Sequence, residues 1–136
     1  MTKTILIADD ESGVVKILGL WLEANGYNVI AVYDGAHVKE LARQEKPDLI
    51  ILDIKMPGAD GYSVFKSLKT SANTMSIPIV FFSALPPELV RERVIQLGAG
   101  SFISKSDDPD ENDEIMAKIT EILDQSQSQP IKQMRQ

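Results

Sequence analysis

Cysteine is absent from the 136 residues, which removes disulfides, thiolate metal sites and a cysteine nucleophile together and suits a reducing compartment. The single histidine, His37, cannot build a metal site on several imidazoles and reads as a surface residue. No apolar run approaches the roughly 20 residues that a membrane-spanning helix needs. Positive charge is in short supply: 14 Lys and Arg stand against 20 Asp and Glu, a net charge of −6, with no basic stripe to follow a nucleic-acid backbone. Neither direct nucleic-acid binding nor a membrane partner is expected. Met1-Thr2-Lys3-Thr4 leads straight into a short apolar run, unlike the long apolar stretch and small-residue cleavage site of a secretory signal. The expected location is the cytoplasm. Apolar residues, at 43%, suffice for one core of ordinary domain size.

Short apolar runs alternate with longer amphipathic ones. The first run, over residues 4–8, is apolar throughout, as in a strand buried on both faces. A helical pattern follows, with Val14, Ile17, Leu18, Trp21 and Leu22 on one face, and it closes at Asn25-Gly26. A second strand is expected over 27–32, then the turn Asp34-Gly35, then a weaker helix over 36–46 with Val38, Leu41 and Ala42 facing in and Pro47 stopping it. Residues 49–52 form the most apolar strand. A loop of Pro, Gly and Asp over 56–61 precedes a short helix carrying Phe65 and Leu68. The fourth strand is expected over 77–82. A helix opened by Pro86-Pro87 carries Leu89, Val90, Val94 and Leu97. The fifth strand is expected over 101–104, and a last helix holds Ile115, Ile119, Ile122 and Leu123. Beyond Asp124 the chain turns polar and low in complexity, which reads as a disordered tail or linker over 125–136. Five strands alternating with five helices predict an α/β sandwich on a parallel sheet.

Ligands of such sheets sit outside the carboxyl ends of the strands. Asp9 and Asp10, followed by Glu11, stand at the end of the first strand, Asp53 at the end of the third, Ser83 at the end of the fourth and Lys105 just past the fifth. If the sheet is doubly wound, strands one and three are neighbours and three carboxylates converge. Carboxylates that close repel one another or take up protons unless a cation sits among them. Oxygen ligands alone suit a hard ion, Mg²⁺ before softer metals. Lys105 adds a fixed positive charge and Ser83 a hydroxyl donor, so the set suits phosphoryl transfer to a carboxylate. Asp53, ending the most apolar strand beside the Pro/Gly loop, is the best-placed nucleophile.

These residues, in order and each at a strand end, resemble the response-regulator receiver domain of two-component signalling. Asp9-Asp10 resembles the family's acidic pair, and Leu52-Asp53-Ile54-Lys55-Met56-Pro57-Gly58-Ala59-Asp60-Gly61 its phosphoacceptor loop. Ser83 and Lys105 stand at its Ser/Thr and Lys positions. The resemblance covers residues 4–124, and so a receiver domain over 1–124. It implies a flavodoxin-like three-layer sandwich with strand order 2-1-3-4-5, the order of a chemotaxis regulator of this family.

The resemblance further implies that Asp10, Asp53 and the backbone carbonyl of Lys55 ligate Mg²⁺, with Asp9 reaching it through water. Asp53 would become 4-aspartylphosphate, taking its phosphoryl group from a sensor histidine kinase or a histidine phosphotransfer protein. Ser83 would then turn inward, and Phe102, at the family's aromatic switch position, would follow. The chain would be a switch acting on an unidentified downstream protein. It would not be an enzyme toward any outside substrate, only assisting phosphoryl transfer and hydrolysis at its own Asp53.

Two other readings compete. A pseudo-receiver would bind a partner without phosphorylation, but the full set Asp9, Asp10, Asp53, Ser83 and Lys105 argues against it. A Mg²⁺-dependent phosphatase with an aspartyl nucleophile would carry an acid/base Asp two residues later, where Lys55 stands. The sequence departs from the family in one place: Ser106 replaces the Pro that usually follows the Lys, and an acidic stretch runs from there to Glu114. A trans Lys105–Ser106 peptide is therefore expected, since a cis bond without Pro costs about 2.5–4 kcal/mol. Like charges meeting across a two-fold axis would disfavour a strong dimer there, so a monomer or a weak phosphorylation-dependent dimer is expected. A stand-alone regulator is slightly preferred to a receiver within a longer protein.

Overall fold

The five runs form one parallel sheet whose central strands are too apolar to leave either face in water, while the edge strands stay partly exposed. A computed structural model describes residues 2–99, 101–105 and 114–124. The elements are β1 (Thr4–Ala8), α1 (Ser12–Ala24), β2 (Asn28–Val32), a 3-10 turn (Gly35–His37), α2 (Val38–Glu45), β3 (Leu49–Leu52), α3 (Gly61–Lys69), β4 (Ile79–Ser83), α4 (Pro87–Gln96) and β5 (Phe102–Ser104). The strand order is β2-β1-β3-β4-β5, with every pair parallel. This is the doubly wound, flavodoxin-like order. The chain divides after Lys105 into two units, and all of these elements lie in the first. In the second, residues 114–124 form a fifth helix, α5, with Ile115, Ile119 and Leu123 buried. The expected tail over 125–136 lies outside the described residues.

Alternation along the strands sorts the core. Leu6, Ala8, Ile50, Leu52 and Phe81 join Val38, Ala42, Val64, Phe65, Leu68, Val90 and Val94 in one cluster, so α2, α3 and α4 cover one face of the sheet. The intervening residues Ile5, Ile7, Ile51 and Val80 are equally buried on the other face, where α1 packs against β1 and β2.

Element ends follow local chemistry. Strand β2 starts at Asn28 rather than at 27 because Tyr27 spends its N–H on Leu22 O (3.1 Å), closing α1. Strand β4 starts at Ile79 because Pro78 has no N–H for the ladder, although its carbonyl still accepts from Ile50 (2.9 Å). The expected helix over 36–46 is split: Asp34 caps a 3-10 turn through His37 N, and α2 ends at Lys46, which is left-handed at φ 48 before Pro47.

The buried face of α1 differs from expectation. Val15, Leu18, Gly19 and Leu22 are buried, Val14 and Trp21 are half-buried, and Ile17 is 52% exposed. Apolar residues fill two adjacent stripes of α1, and periodicity alone does not choose between them. The stripe that meets β1 and β2 is the one containing Gly19, where an added Cβ would make ordinary contact with Val29 Cγ1 at 3.7 Å. In α4, likewise, Val90 and Val94 are buried while Leu89 is 66% exposed. On this geometry Leu18→Ala lowers unfolding free energy by about 2–5 kcal/mol, whereas Ile17→Ala changes it by less than about 0.5 kcal/mol. Urea titrations of the two variants check this, and equal losses would mean that the face is wrongly drawn.

Candidate functional site

Parallel pairing brings the acidic residues together. Ala8 and Leu52 are register partners on β1 and β3, so the residues after them, Asp9 and Asp53, emerge side by side. Backbone bonds hold both: Asp53 N donates to Ala8 O (2.9 Å) and Asp9 N to Val32 O (3.0 Å). Asp9 and Asp53 are buried, and Asp10 is exposed beside them. One carboxylate oxygen from each of the three falls within a 4.8 Å group.

On the other side β4 and β5 deliver Ser83 and Lys105. Lys105 N donates to Ser83 O (2.9 Å), which extends the ladder past β5 and fixes the root of the lysine. The side chain crosses above the Phe82 ring, with Nζ 5.8 Å from the centroid, and ends among the carboxylates. Its ammonium lies 2.7 Å from Asp9 Oδ2, 3.3 Å from Asp53 Oδ2 and 3.5 Å from Glu11 Oε1. Lys105 therefore points at Asp53, as expected, but its shortest contact is with Asp9. Ser83 is buried, and its Oγ accepts from Leu85 N (3.2 Å). Together Asp10, Glu11, Asp53, Lys55, Ser83, Ala84, Leu85 and Lys105 line an open cleft of about 330 Å³. Phe102 stands apart, half-buried against the core and paired in register with Phe81. Residues 106–113, with the Lys105–Ser106 peptide and most of the acidic stretch, lie outside the described residues.

Sequence reasoning gave no role to Glu11 and did not single out Phe82. Glu11 N donates to Asp9 Oδ1 (3.0 Å), an Asx turn that swings its carboxylate back toward Lys105. The signal was present in the unbroken run Asp9-Asp10-Glu11. The place of Phe82 follows from alternation, since it sits on the strand directly before Ser83.

The electrostatics follow from burial. Desolvation and the neighbouring Asp9 charge push the Asp53 carboxyl up to about 6, against the pull of Lys105 and of the hydrogen bond from Ile54 N. For Lys105, burial works against the charge, but Asp9, Asp53 and Glu11 outweigh it and the net shift is upward. The charges near the ammonium stay unbalanced. Asp9 Oδ2 is buried, and its partner is the Lys105 ammonium at 2.7 Å. Three carboxylates gathered at one spot, with no nitrogen or sulfur donor among them, fit a hard divalent cation such as Mg²⁺.

Known proteins resemble this chain in sequence and fold. The family described as the response regulator receiver domain matches residues 5–128. The response regulator GtcR of Aneurinibacillus migulanus is 40% identical over 109 residues, covering 80% of this chain and 44% of its own length. The alkaline phosphatase synthesis transcriptional regulatory protein PhoP of Bacillus subtilis (strain 168) is 36% identical over 127 residues, covering 93% of this chain and 51% of its own. The chain thus spans about half the length of these curated relatives. The crystal structure of the BeF3-activated N-terminal receiver domain of Klebsiella pneumoniae RstA matches with a TM-score of 0.78 at 26% identity, covering 88% of this chain and 97% of that one.

The raised Asp53 value has a consequence for stability. Between 3.8 and about 6 the folded chain holds the Asp53 proton more readily than the unfolded chain, so this carboxyl favours folding at low pH and the contribution is lost as pH rises through 6. With chelator present, Asp53→Asn is therefore more stable than the parent above that range, by up to about 3 kcal/mol. The advantage shrinks as pH falls toward 3.8. Denaturant titrations across pH measure it, and a variant less stable than the parent above pH 6 would contradict the burial argument.

Proposed function

The chain belongs to the response-regulator receiver domain family, and on that premise we propose that it is a switch controlled by phosphorylation of Asp53. The observation that carries the reading is the cleft in which the Asp53 carboxylate faces the Lys105 ammonium at 3.3 Å, beside Asp9 and Asp10. Asp9, Asp10, Asp53 and the backbone carbonyl of Lys55 would hold Mg²⁺, Asp9 through water. When bound, the ion supplies positive charge against the phosphoryl oxygens.

The chain's own groups do the rest. Asp53 presents a carboxylate oxygen in line with the phosphorus of a phosphohistidine. As the new O–P bond forms, the N–P bond breaks and its electron pair returns to the imidazole, which takes a proton from solvent. Lys105 balances charge on the transferred group, and its backbone tie to Ser83 O keeps it in reach. Ser83 would turn its hydroxyl onto the phosphoryl oxygens, with Phe102 moving inward behind it. Water attack would reverse the modification, so the chain assists chemistry only at its own aspartate. The donor is a sensor histidine kinase or a histidine phosphotransfer protein, and the readout is altered binding of a downstream protein partner in the cytoplasm. Receiver function is assigned to residues 1–124, acting as a monomer or a weak phosphorylation-dependent dimer.

Incubation with acetyl phosphate and Mg²⁺, followed by intact-mass measurement, tests the assignment. One phosphoryl group adds to the parent and none to Asp53→Ala; an adduct persisting in the variant would move the acceptor elsewhere. Asp10→Ala loses the Mg²⁺-dependent rise in melting temperature that the parent shows, and retention of that rise would displace the metal site.

A further inference from the structure

Gly35 follows Asp34 in what reads as an ordinary turn, yet its backbone does not need a glycine: its φ is not in the left-handed region. What excludes a side chain is contact. A Cβ on Gly35 would fall on the carbonyl oxygen of Ala59 and lie 2.8 Å from its carbonyl carbon. Gly35 N donates to Pro57 O at 2.9 Å. From the other side Gly58, at φ +87, faces Ala36, where a Cβ would meet the Ala36 nitrogen at 3.2 Å. The turn after β2 and the tip of the loop after Asp53 are thus interlocked through two glycines, backbone against backbone.

The rest of that loop is held at its base, where Gly61 N donates to Ile54 O (2.6 Å) and a Cβ on Gly61 would fall on Asp53 O. Among the described residues, the backbone hydrogen bond that reaches the tip from another element is the one from Gly35. Lys55 lies between the fixed base and this held tip. The same stretch of chain also holds Asp9, whose N–H donates to Val32 O. The end of β2 therefore braces both sides of the acidic site.

We propose that Gly35 is a positioning residue for Mg²⁺ binding: by admitting the 57–59 backbone, it holds the loop so that the Lys55 carbonyl joins the carboxylates. The inference rests on the metal assignment made above. Groups that orient the ligands of a metal typically change its affinity by about 10–100-fold when altered. Gly35→Ala, which must push the tip aside, weakens Mg²⁺ binding by roughly tenfold.

Isothermal titration of Mg²⁺ into the full chain is the direct test, run on the parent, Asp10→Ala, Gly35→Ala and Gly13→Ala. A Cβ on Gly13 meets nothing within 4 Å, so that variant controls for the glycine-to-alanine change itself and binds as the parent does. A second measurement follows phosphorylation by acetyl phosphate against Mg²⁺ concentration. Displacement of the loop moves the Mg²⁺ midpoint of Gly35→Ala upward and leaves the rate at saturating Mg²⁺ within about twofold of the parent, whereas general damage lowers the plateau and leaves the midpoint. Parent-like Mg²⁺ affinity in a folded Gly35→Ala, or a lowered plateau alone, overturns the inference while the metal assignment stands. Failure of the parent to bind Mg²⁺, or full binding by Asp10→Ala, overturns both. If Gly35→Ala does not fold, Asp34→Ala decides. It removes the exposed cap on His37 N that shapes the turn (3.0 Å), together with the same carboxylate's contacts to His37 Nδ1 (2.8 and 2.9 Å). Weakened Mg²⁺ binding then supports the brace, and unchanged binding refutes it.

Discussion

One ammonium, that of Lys105, sits among carboxylates that would otherwise drive each other apart. Asp9, Asp53 and Glu11 all lie within 3.5 Å of it, and Asp9 and Asp53 are buried. The sheet has to satisfy this constraint. Parallel pairing of β1 with β3 places two acids side by side, and pairing of β4 with β5 sends a lysine across to them from the far half of the sheet. Antiparallel pairing would have put these strand ends at opposite edges. The central strands are apolar on both faces because helices cover them, which leaves the strand ends as the place where polar groups can gather.

The same cluster is poorly arranged for stability alone. A single positive charge faces several negative ones, and Asp53 ionises only near 6. A fold selected for stability would replace such a group with apolar residues, because a charge taken out of water is repaid only with full pairing. Local conflict on an otherwise consistent scaffold is the physical mark of a binding site. The donor set here, all oxygen with one ammonium beside it, is of the kind that suits a small, hard cation.

The strands and the acidic edge could be read from the sequence because both depend on short-range pattern: an apolar run of four or five residues, then an abrupt polar one. Asp9, Asp10, Asp53, Ser83 and Lys105 were found that way. Lys55 and Phe102 carried no signal of their own and came from the family resemblance. Features set by three-dimensional contact stayed hidden. The stripe that α1 buries was set by its packing against β1 and β2, not by the count of apolar residues. The reach of Glu11 to Lys105 required an Asx turn, and the stacking of Lys105 over Phe82 required the path between strand and site. Gly35 reads as a turn glycine and proves to be a glycine of close approach.

The proposed switch has a physical threshold that can be located. Ser83 Oγ accepts the N–H of Leu85, and the next two residues, Pro86 and Pro87, have no N–H at all. Leu85 therefore carries the last backbone donor before α4. If the Ser83 hydroxyl turns toward a phosphoryl group, that donor loses its acceptor, at a cost of about 1–3 kcal/mol if it stays buried. The loss is avoided if the Ala84–Leu85 segment moves with it, and Pro86, which caps α4 and accepts from Leu89 N, is joined directly to that segment. In the proposed switch a rotation of one hydroxyl would thus be passed to the start of a helix that exposes Leu89 and Ile95. The rigid prolines keep the displacement from being absorbed in the loop, because their φ is fixed near −65°. Under the proposed switch, coupling from the acidic site to the α4 surface would need no long pathway: Ala84 and Leu85 would carry it, stiffened by the proline pair.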